Sequence, residues 1–507
     1  MERRTFLAAT AASFLLPPSR SLAGDPFTLG VASGDPSTDG FVLWTRLALD
    51  PLSGDGRGGM PSRSLDVDWQ ISTDERFSKV VRSGTATASP GAAHSVHVEA
   101  KGLEPGREYF YRFRSEGRLS RTGRTRTTPV GAQPLTFAVA ACAHYEHGYY
   151  TAYRRLAEQE PDLVVHLGDY MYEYGPSGYT ALAGKVRTHT PGKCATLADY
   201  RLRHAQYKSD RDLQKAHAVA PWLVAFDDHE LENNWAGPVS STGAPGFARR
   251  RAAAFRAYYE NMPLRRASLQ GAVLRVNRRV SWGTLARFHL LDTRQFRDDQ
   301  ACMDGVRASC DERLSARRTL LGDDQRRWLS EGLRSSTTRW NLLGQQIMMA
   351  QRDYKVGPGR EVNLDSWDGY APRADQAARL APGDLQPRRP DRRRPHAPRR
   401  RAQARLRRPL LARGRPRAGR LVHRQRRRRL PRQGLDRRGT GGEPAHLLHR
   451  PAPRLPGRQA HLHRAVRRLP HSRLHLPQGR PREDHQDRHH PRRRLGRIDT
   501  LVAFPPL

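Results

Sequence analysis

Three stretches of the chain place ligand-type side chains at the ends of apolar runs. In Gly168-Asp169-Tyr170-Met171-Tyr172 a carboxylate and a phenol stand three residues apart. A carboxylate so placed can bridge two cations, and a phenol beside a hard trivalent ion loses its proton readily. Phe226-Asp227-Asp228-His229-Glu230 adds a carboxylate ligand, Asp228, and an imidazole, His229. Such an imidazole can stabilise a phosphoryl oxygen or protonate a leaving group. Cys142 offers a thiolate, and Asn233 and Asn234 offer neutral oxygen donors. Each piece alone is ordinary, because Gly-Asp is a common turn and a single cysteine usually packs. Three such sites in chain order predict a metal centre.

The elements that must position them are legible. Leu135-Thr136-Phe137-Ala138-Val139-Ala140-Ala141-Cys142 is an apolar run entering a loop. Residues 162–169, 221–229 and 284–292 repeat the theme, each a largely apolar strand that ends on an acid. Residues 150–160 read as a helix between the first two runs, and residues 320–333 as an amphipathic helix used for packing. Strand, acid-bearing loop, helix, strand is the pattern of a layered sheet, where ligands gather at the strand C-termini. The part before residue 131 is different. Leu65-Asp66-Val67-Asp68-Trp69-Gln70-Ile71 and Ser95-Val96-His97-Val98-Glu99-Ala100 alternate apolar and polar, and turns such as Leu103-Glu104-Pro105-Gly106 separate short strands. That predicts an antiparallel β-sandwich of about 100 residues.

On these residues the chain resembles the calcineurin-like metallophosphoesterases, related to purple acid phosphatases, and more closely the PhoD-type alkaline phosphatases. Gly30-Val31-Ala32-Ser33-Gly34-Asp35-Pro36 with Leu43-Trp44-Thr45-Arg46 looks like the start of that family's N-terminal domain. Cys142, the string from His166 to Gly175, that from Phe226 to Asn234, Gly344-Gln345-Gln346, and that from Asn363 to Tyr370 match its pattern in order. The resemblance covers about residues 27–375. It implies an iron-plus-calcium centre hydrolysing phosphomonoesters, and some diesters, by attack of a metal-activated hydroxide. Cys142, Asp169 and Tyr172 would hold iron, Asp169 and Asp228 would face the second metal, and His229 would sit on the leaving-group side. Arginines near the cleft would clamp phosphate, without the sequence saying which. The expected fold is an α+β layered metallophosphoesterase sandwich preceded by an all-β, immunoglobulin- or fibronectin-like domain.

The back of the chain departs from this pattern. The whole has 507 residues and a formal net charge of +39, which alone would suggest a nucleic-acid binder. Residues 386–507 hold 37 Arg, no Lys and 7 acids, so most of the charge sits there. With 17 Pro and 11 His and hardly an aromatic residue, this tail buries too little apolar area to offset chain entropy, and is expected to be non-native or disordered. The family's closing metal motif, Thr-Gly-Asp-Val-His, is missing. Yet the string from Gln386 to His396, read one base later with permitted codons, gives Asn-Pro-Val-Val-Leu-Thr-Gly-Asp-Val-His. The tail therefore reads as off-frame translation of a GC-rich gene, with the slip between about 371 and 386. Loss of the last metal motif would impair this particular chain.

The N-terminus opens Met1-Glu2-Arg3-Arg4-Thr5-Phe6-Leu7, runs through a weakly apolar stretch, and reaches a small-x-small site at Ser21-Leu22-Ala23. This resembles a twin-arginine export signal, implying the twin-arginine machinery as a partner and a periplasmic or secreted location. The expected organisation is residues 1–23 signal peptide, 24–130 sandwich domain, 131–385 incomplete phosphatase domain and 386–507 tail. No stretch reaches the roughly 18 apolar residues of a membrane span, and four scattered cysteines exclude a small disulfide scaffold. Cys302 and Cys310 are either bridged or a free pair, and Cys194 has no evident partner. The substrate that the resemblance implies is a small phosphate ester. The competing readings are a phosphodiesterase on the same centre, an inactive binding module, and an Arg-rich nucleic-acid-binding protein. The last leaves the motifs between 142 and 234 unexplained, so nucleic acid is not the expected partner. Oligomeric state is not legible.

Overall fold

A computed structural model describes residues 22–371 and 501–504, all within one compact unit. The expected export signal, apart from Leu22 and Ala23, and the stretch from 372 to 500 lie outside the described residues. Leu22 packs into the N-terminal apolar cluster.

The first part of the chain is all β: β1 Val31–Gly34, β2 Phe41–Arg46, β3 Leu65–Ser72, β4 Val80–Ala88, β5 Ser95–Ala100, β6 Glu108–Ser115, β7 Arg118–Leu119 and β8 Gly123–Arg126. In β6, Tyr109, Tyr111 and Phe113 are buried while the residues between them are partly exposed, the period-2 signature of a sheet with one wet face. One sheet has the order β4-β3-β6-β7, with β8 also on β6. Its inner face, with Leu65, Val67, Ile71, Tyr111 and Phe113, packs on Val31, Phe41, Leu43, Val96 and Val98 of β1, β2 and β5.

The β1-β2-β5 sheet does not stop at residue 130. The chain goes on through β9 Phe137–Ala140, helix α1 Thr151–Glu158, β10 Leu163–His166, α2 Leu197–Lys208, α3 Arg211–Ala218, β11 Pro221–Val224 and α4 Phe247–Asn261. β1 pairs in parallel with β11, giving one six-stranded sheet of order β5-β2-β1-β11-β10-β9. The two-sheet stack of the N-terminal part and the layered part thus share a sheet.

β10 and β11 are buried along their whole length, as parallel strands covered on both faces must be. Val164, Trp222 and Val224 face the helices, among Tyr153, Ala216, Phe255 and Tyr258. Leu163, Val165 and Leu223 face the other way, onto Trp282, Phe288, Leu290 and Leu342 of a second sheet. After the short hairpin of β12 Leu269–Gln270 and β13 Val273–Leu274, that second sheet is built from β14 Arg278–Trp282 and β15 Ala286–Leu290. The chain then passes through β16 Val306–Arg307, α5 Gly322–Arg334, β17 Trp340–Gly344, β18 Val362–Asn363 and β19 Leu501–Phe504. The sheet order is β14-β15-β17-β19. α5 covers its outer face through Leu329 and Leu333, against Leu343 and Trp367. The layers run helices, sheet, sheet, helix. Among the described residues no helix is long and apolar enough to cross a membrane.

β19 is the one part of the tail among the described residues. Leu501 to Phe504 pair antiparallel with Gly344 to Asn341 of β17. The run Leu-Val-Ala-Phe is the one strongly apolar string near the end of an Arg-rich segment. Among the described residues β17 otherwise pairs with β15 alone, and its second edge offers backbone donors and acceptors that such a string can satisfy.

Candidate metal centre

β9, β10 and β11 run parallel and side by side, so their C-terminal ends open at one place. Cys142 lies just beyond β9, Asp169 beyond β10, and Asp227, Asp228 and His229 beyond β11. Cys142 and Asp169 both adopt left-handed backbone, with φ of 58° and 53°. Asn234, in the loop after His229, does so as well, with φ 54°. Non-glycine residues held there carry local strain that the surrounding fold must sustain. Gly168 lets the β10 and β11 loops meet. Its φ is +122°, and a Cβ added to it would lie 2.4 Å from the Asp227 nitrogen.

The carboxylate of Asp169 is the hub. Its Oδ2 accepts the Tyr172 hydroxyl at 3.0 Å and the Cys142 thiol at 3.5 Å, and its Oδ1 accepts the His229 backbone N–H at 3.4 Å. Asp169, Asp228 and His229 each offer one ligand atom, and these atoms lie within 4.8 Å of one another. The five side chains singled out from sequence therefore come together. Asn233 and Asn234 enter through their backbone: Asn234 N–H donates to Asp228 Oδ2 at 2.7 Å and Asn233 N–H to Glu173 Oε1 at 2.9 Å. Asp292, the fourth strand-end acid, is not in the cluster. Its Oδ1 caps its own turn, accepting from the backbone of Arg294 and Gln295.

The donor set fits a cation. Burial pushes Asp169 up to about 6, with Asp228 adding to the rise and His229 opposing it. Local desolvation raises the Cys142 thiol, as do the Asp169 and Asp227 carboxylates; because the residue is solvent-exposed, the carboxylates are the firmer cause. Burial and Asp169 likewise raise the Tyr172 phenol. A thiol and a phenol are thus both aimed at one carboxylate oxygen, the arrangement in which a hard positive ion displaces protons and binds oxygen and sulfur. Burial also lifts Asp227 to about 8, although Arg294 holds it back.

Three supporting residues carry no local sequence signal for their roles. Glu230 is buried and accepts the backbone N–H groups of Asp169 (3.1 Å), Tyr170 (2.6 Å) and Asp227 (2.9 Å), so one carboxylate ties the two ligand loops together. Glu173 Oε2 lies 2.9 Å from His229 Nδ1 and fixes the ring. Burial pulls the His229 imidazole down, but Asp228, Asp169 and Glu173 outweigh it and lift it well above the usual histidine range. Arg294 is fully buried and reaches Asp227 at 2.6 Å, Asp365 at 2.8 and 2.9 Å, and Asp228 at 3.6 Å. Burial would lift Asp228, yet Arg294 and His229 reverse this and hold it well below the usual carboxylate range. Arg294 is thus an internal counter-charge engaged by carboxylates.

Comparison with known proteins places the chain in a family. A family model described as PhoD-like phosphatase matches residues 137–381, and one described as PhoD-like phosphatase, N-terminal domain, matches residues 9–129. Alkaline phosphatase D of Bacillus subtilis (strain 168) is 51% identical over 370 residues, which is 72% of this chain and 63% of that protein. The chain thus spans less than two thirds of the curated relative's length. A solved structure of PhoD is 50% identical, aligns with a TM-score of 0.69, and the match covers 71% of this chain and 70% of the solved one. With the family's N-terminal and phosphatase regions matched in order, and half its aligned residues identical to a solved member, this chain belongs to the PhoD-like phosphatase family.

Proposed function

We propose that this chain encodes an exported, metal-dependent phosphoesterase acting on phosphomonoesters, with diesters as further substrates. The observation that carries the reading is the convergence of Cys142, Asp169, Tyr172, Asp228 and His229 at adjacent parallel strand ends. Cys142, Asp169 and Tyr172 would hold iron, and Asp169 and Asp228 would face calcium. Bound cations would supply charge to the phosphoryl oxygens and acidify the attacking water.

The chain's own residues do the rest. Water adds to phosphorus as the bond from phosphorus to the ester oxygen breaks. His229, kept charged by its carboxylates and oriented by Glu173, gives that oxygen a proton, so the products are an alcohol and phosphate. Glu230 keeps Asp169 and Asp228 in register by joining their loops. The twin-arginine-like start supports export to the periplasm or beyond after folding, with metal already loaded.

This reading includes the frame of the gene. The residues 386–507 are proposed to be off-frame, so that the chain as it stands lacks its last metal ligands and has low activity. In keeping with this, β9 has a single partner among the described residues, β10, and is only partly buried along its length. The test has two arms. Sequencing the gene across codons 365–400 should find one surplus base. The corrected chain, given iron and calcium, should then release phosphate from a simple aryl phosphate far faster than the unaltered chain or a His229→Ala form of the corrected chain. A clean frame would overturn the off-frame tail, and a corrected chain that releases no phosphate would overturn the phosphoesterase reading.

A further inference from the structure

Beside His229 lies a set of rings of which the reaction above uses Tyr172 alone. The Tyr172 ring is stacked on His229 at 4.2 Å between centroids and is buried. Tyr174 also lies close, 5.3 Å from His229 and tilted by 55°. Tyr179 follows at 5.8 Å from Tyr174, with the planes 35° apart. Unlike Tyr172, both Tyr174 and Tyr179 are partly exposed, and neither belongs to the apolar core. Beyond them, His147 and His144 lie 5.2 and 5.7 Å from Tyr179.

The backbone that presents these rings is fixed. Arg203, itself buried, donates to the Tyr174 carbonyl at 2.7 Å. The loop carrying Tyr179 is held by Glu146, a fully buried carboxylate that accepts the N–H groups of Ser177 and His189. The Tyr179 carbonyl is also 3.0 Å from His147 Nε2. Buried polar groups are here spent on placing two part-exposed rings next to the proton donor. Rings placed in advance bind flat partners without a large ordering cost.

We infer that Tyr174 and Tyr179 form an aromatic wall that seats the leaving group, and that the preferred substrates carry a planar aromatic group on the ester oxygen. The inference rests on the phosphoesterase reading, in which His229 faces that oxygen. Ring-on-ring contact favours an aryl over a small alkyl group by about three- to tenfold.

The test is binding to the full chain, so it does not depend on turnover. Phenylphosphonate and methylphosphonate are titrated by calorimetry, with calcium in the buffer, against the unaltered chain and the Tyr174→Ala, Tyr179→Ala, Tyr174→Phe and Tyr179→Phe forms. Thermal melts check that each is folded. The expected result is three- to tenfold tighter binding of phenylphosphonate, lost in the alanine forms and kept in the phenylalanine forms. Equal binding of both phosphonates, or a preference unmoved by the alanine forms, overturns the wall and leaves the phosphoesterase reading standing. Binding of neither phosphonate overturns the wall; the phosphoesterase reading is judged separately, by phosphate release from the corrected chain.

Discussion

Arg294 is the residue whose removal should cost the fold most for one side chain. It is buried to 1% exposure and contacts Asp227, Asp228 and Asp365. Replacing it with alanine takes the shared counter-charge from the Asp228 and Asp365 carboxylates in a low-polarity hole. Removing one partner of a buried ion pair typically costs about 3–5 kcal/mol. The structure indicates the lower end of that range. Asp227, lifted to about 8 even with Arg294 present, already holds a proton at neutral pH and so adds little to the penalty. Arg297 also remains, 2.9 Å from Asp365 Oδ1. The expected loss is therefore about 3 kcal/mol, read as a lower midpoint in urea unfolding with an unchanged slope. Arg294→Lys should recover little, because one ammonium cannot match a fork that bonds Asp227 and grips Asp365 with two nitrogens. Asp365→Asn should cost less in the Arg294→Ala background than in the unaltered chain, by about 1 kcal/mol or more. A loss below about 1 kcal/mol for Arg294→Ala, or strict additivity with Asp365→Asn, would refute the view of Arg294 as the internal counter-charge.

Other perturbations probe separate parts of the fold. Gly168→Ala should destabilise by about 2 kcal/mol or more, since its φ disfavours any side chain and the new Cβ meets the β11 loop; an unchanged melting temperature would contradict this. His97, held by the carbonyls of Tyr259 and Met262, is lowered to about 4 by burial, so unfolding takes up a proton between about pH 6.5 and 4 and stability falls as the pH drops through that window. His97→Gln should therefore lose less melting temperature on acidification than the unaltered chain, and an identical acid profile would count against the assignment. The Cys302–Cys310 bridge closes a short loop whose Asp304 accepts from Asn234 Nδ2 at 2.5 Å. Opening it with the double change Cys302→Ser and Cys310→Ser should cost about 2–3 kcal/mol and weaken calcium binding measured by calorimetry, whereas full retention of both would show that the loop does not support the site.

Much of this candidate site could be read from the chain because its ligand-type residues sit where apolar runs stop. Asp169 and Asp228 each follow a buried four-residue strand, and Cys142 follows a third strand beside them. That pattern is local. Asp292 shows its limit, since an acid after a strand in the second sheet caps its own turn instead. The roles of Glu230, Glu173 and Arg294 were hidden for a physical reason. A carboxylate that collects N–H groups from a loop 60 residues away, as Glu230 does, is defined by the approach of two loops and not by its neighbours in sequence. The joining of β1 to β11 is likewise a pairing across nearly 190 positions, invisible to any local periodicity. The Cys302–Cys310 pair was ambiguous because a spacing of eight in a polar loop permits both states; the fold brings their Cα atoms to 6.2 Å, within bridging reach. At the other end, four apolar residues at 501–504 found an open strand edge that composition alone, averaged over an Arg-rich tail, concealed.

The central claim is that Cys142, Asp169, Tyr172 and Asp228 bind metal, and the phenol of Tyr172 provides its own reporter. Ferric ion should be added to the chain under conditions that keep it soluble, and the visible absorption followed. A phenolate bound to ferric iron gives a charge-transfer band in the visible. The band should appear with the unaltered chain, vanish in Tyr172→Phe, and weaken in Asp169→Asn. Absence of iron binding, or a band that survives the loss of the Tyr172 hydroxyl, would contradict the account.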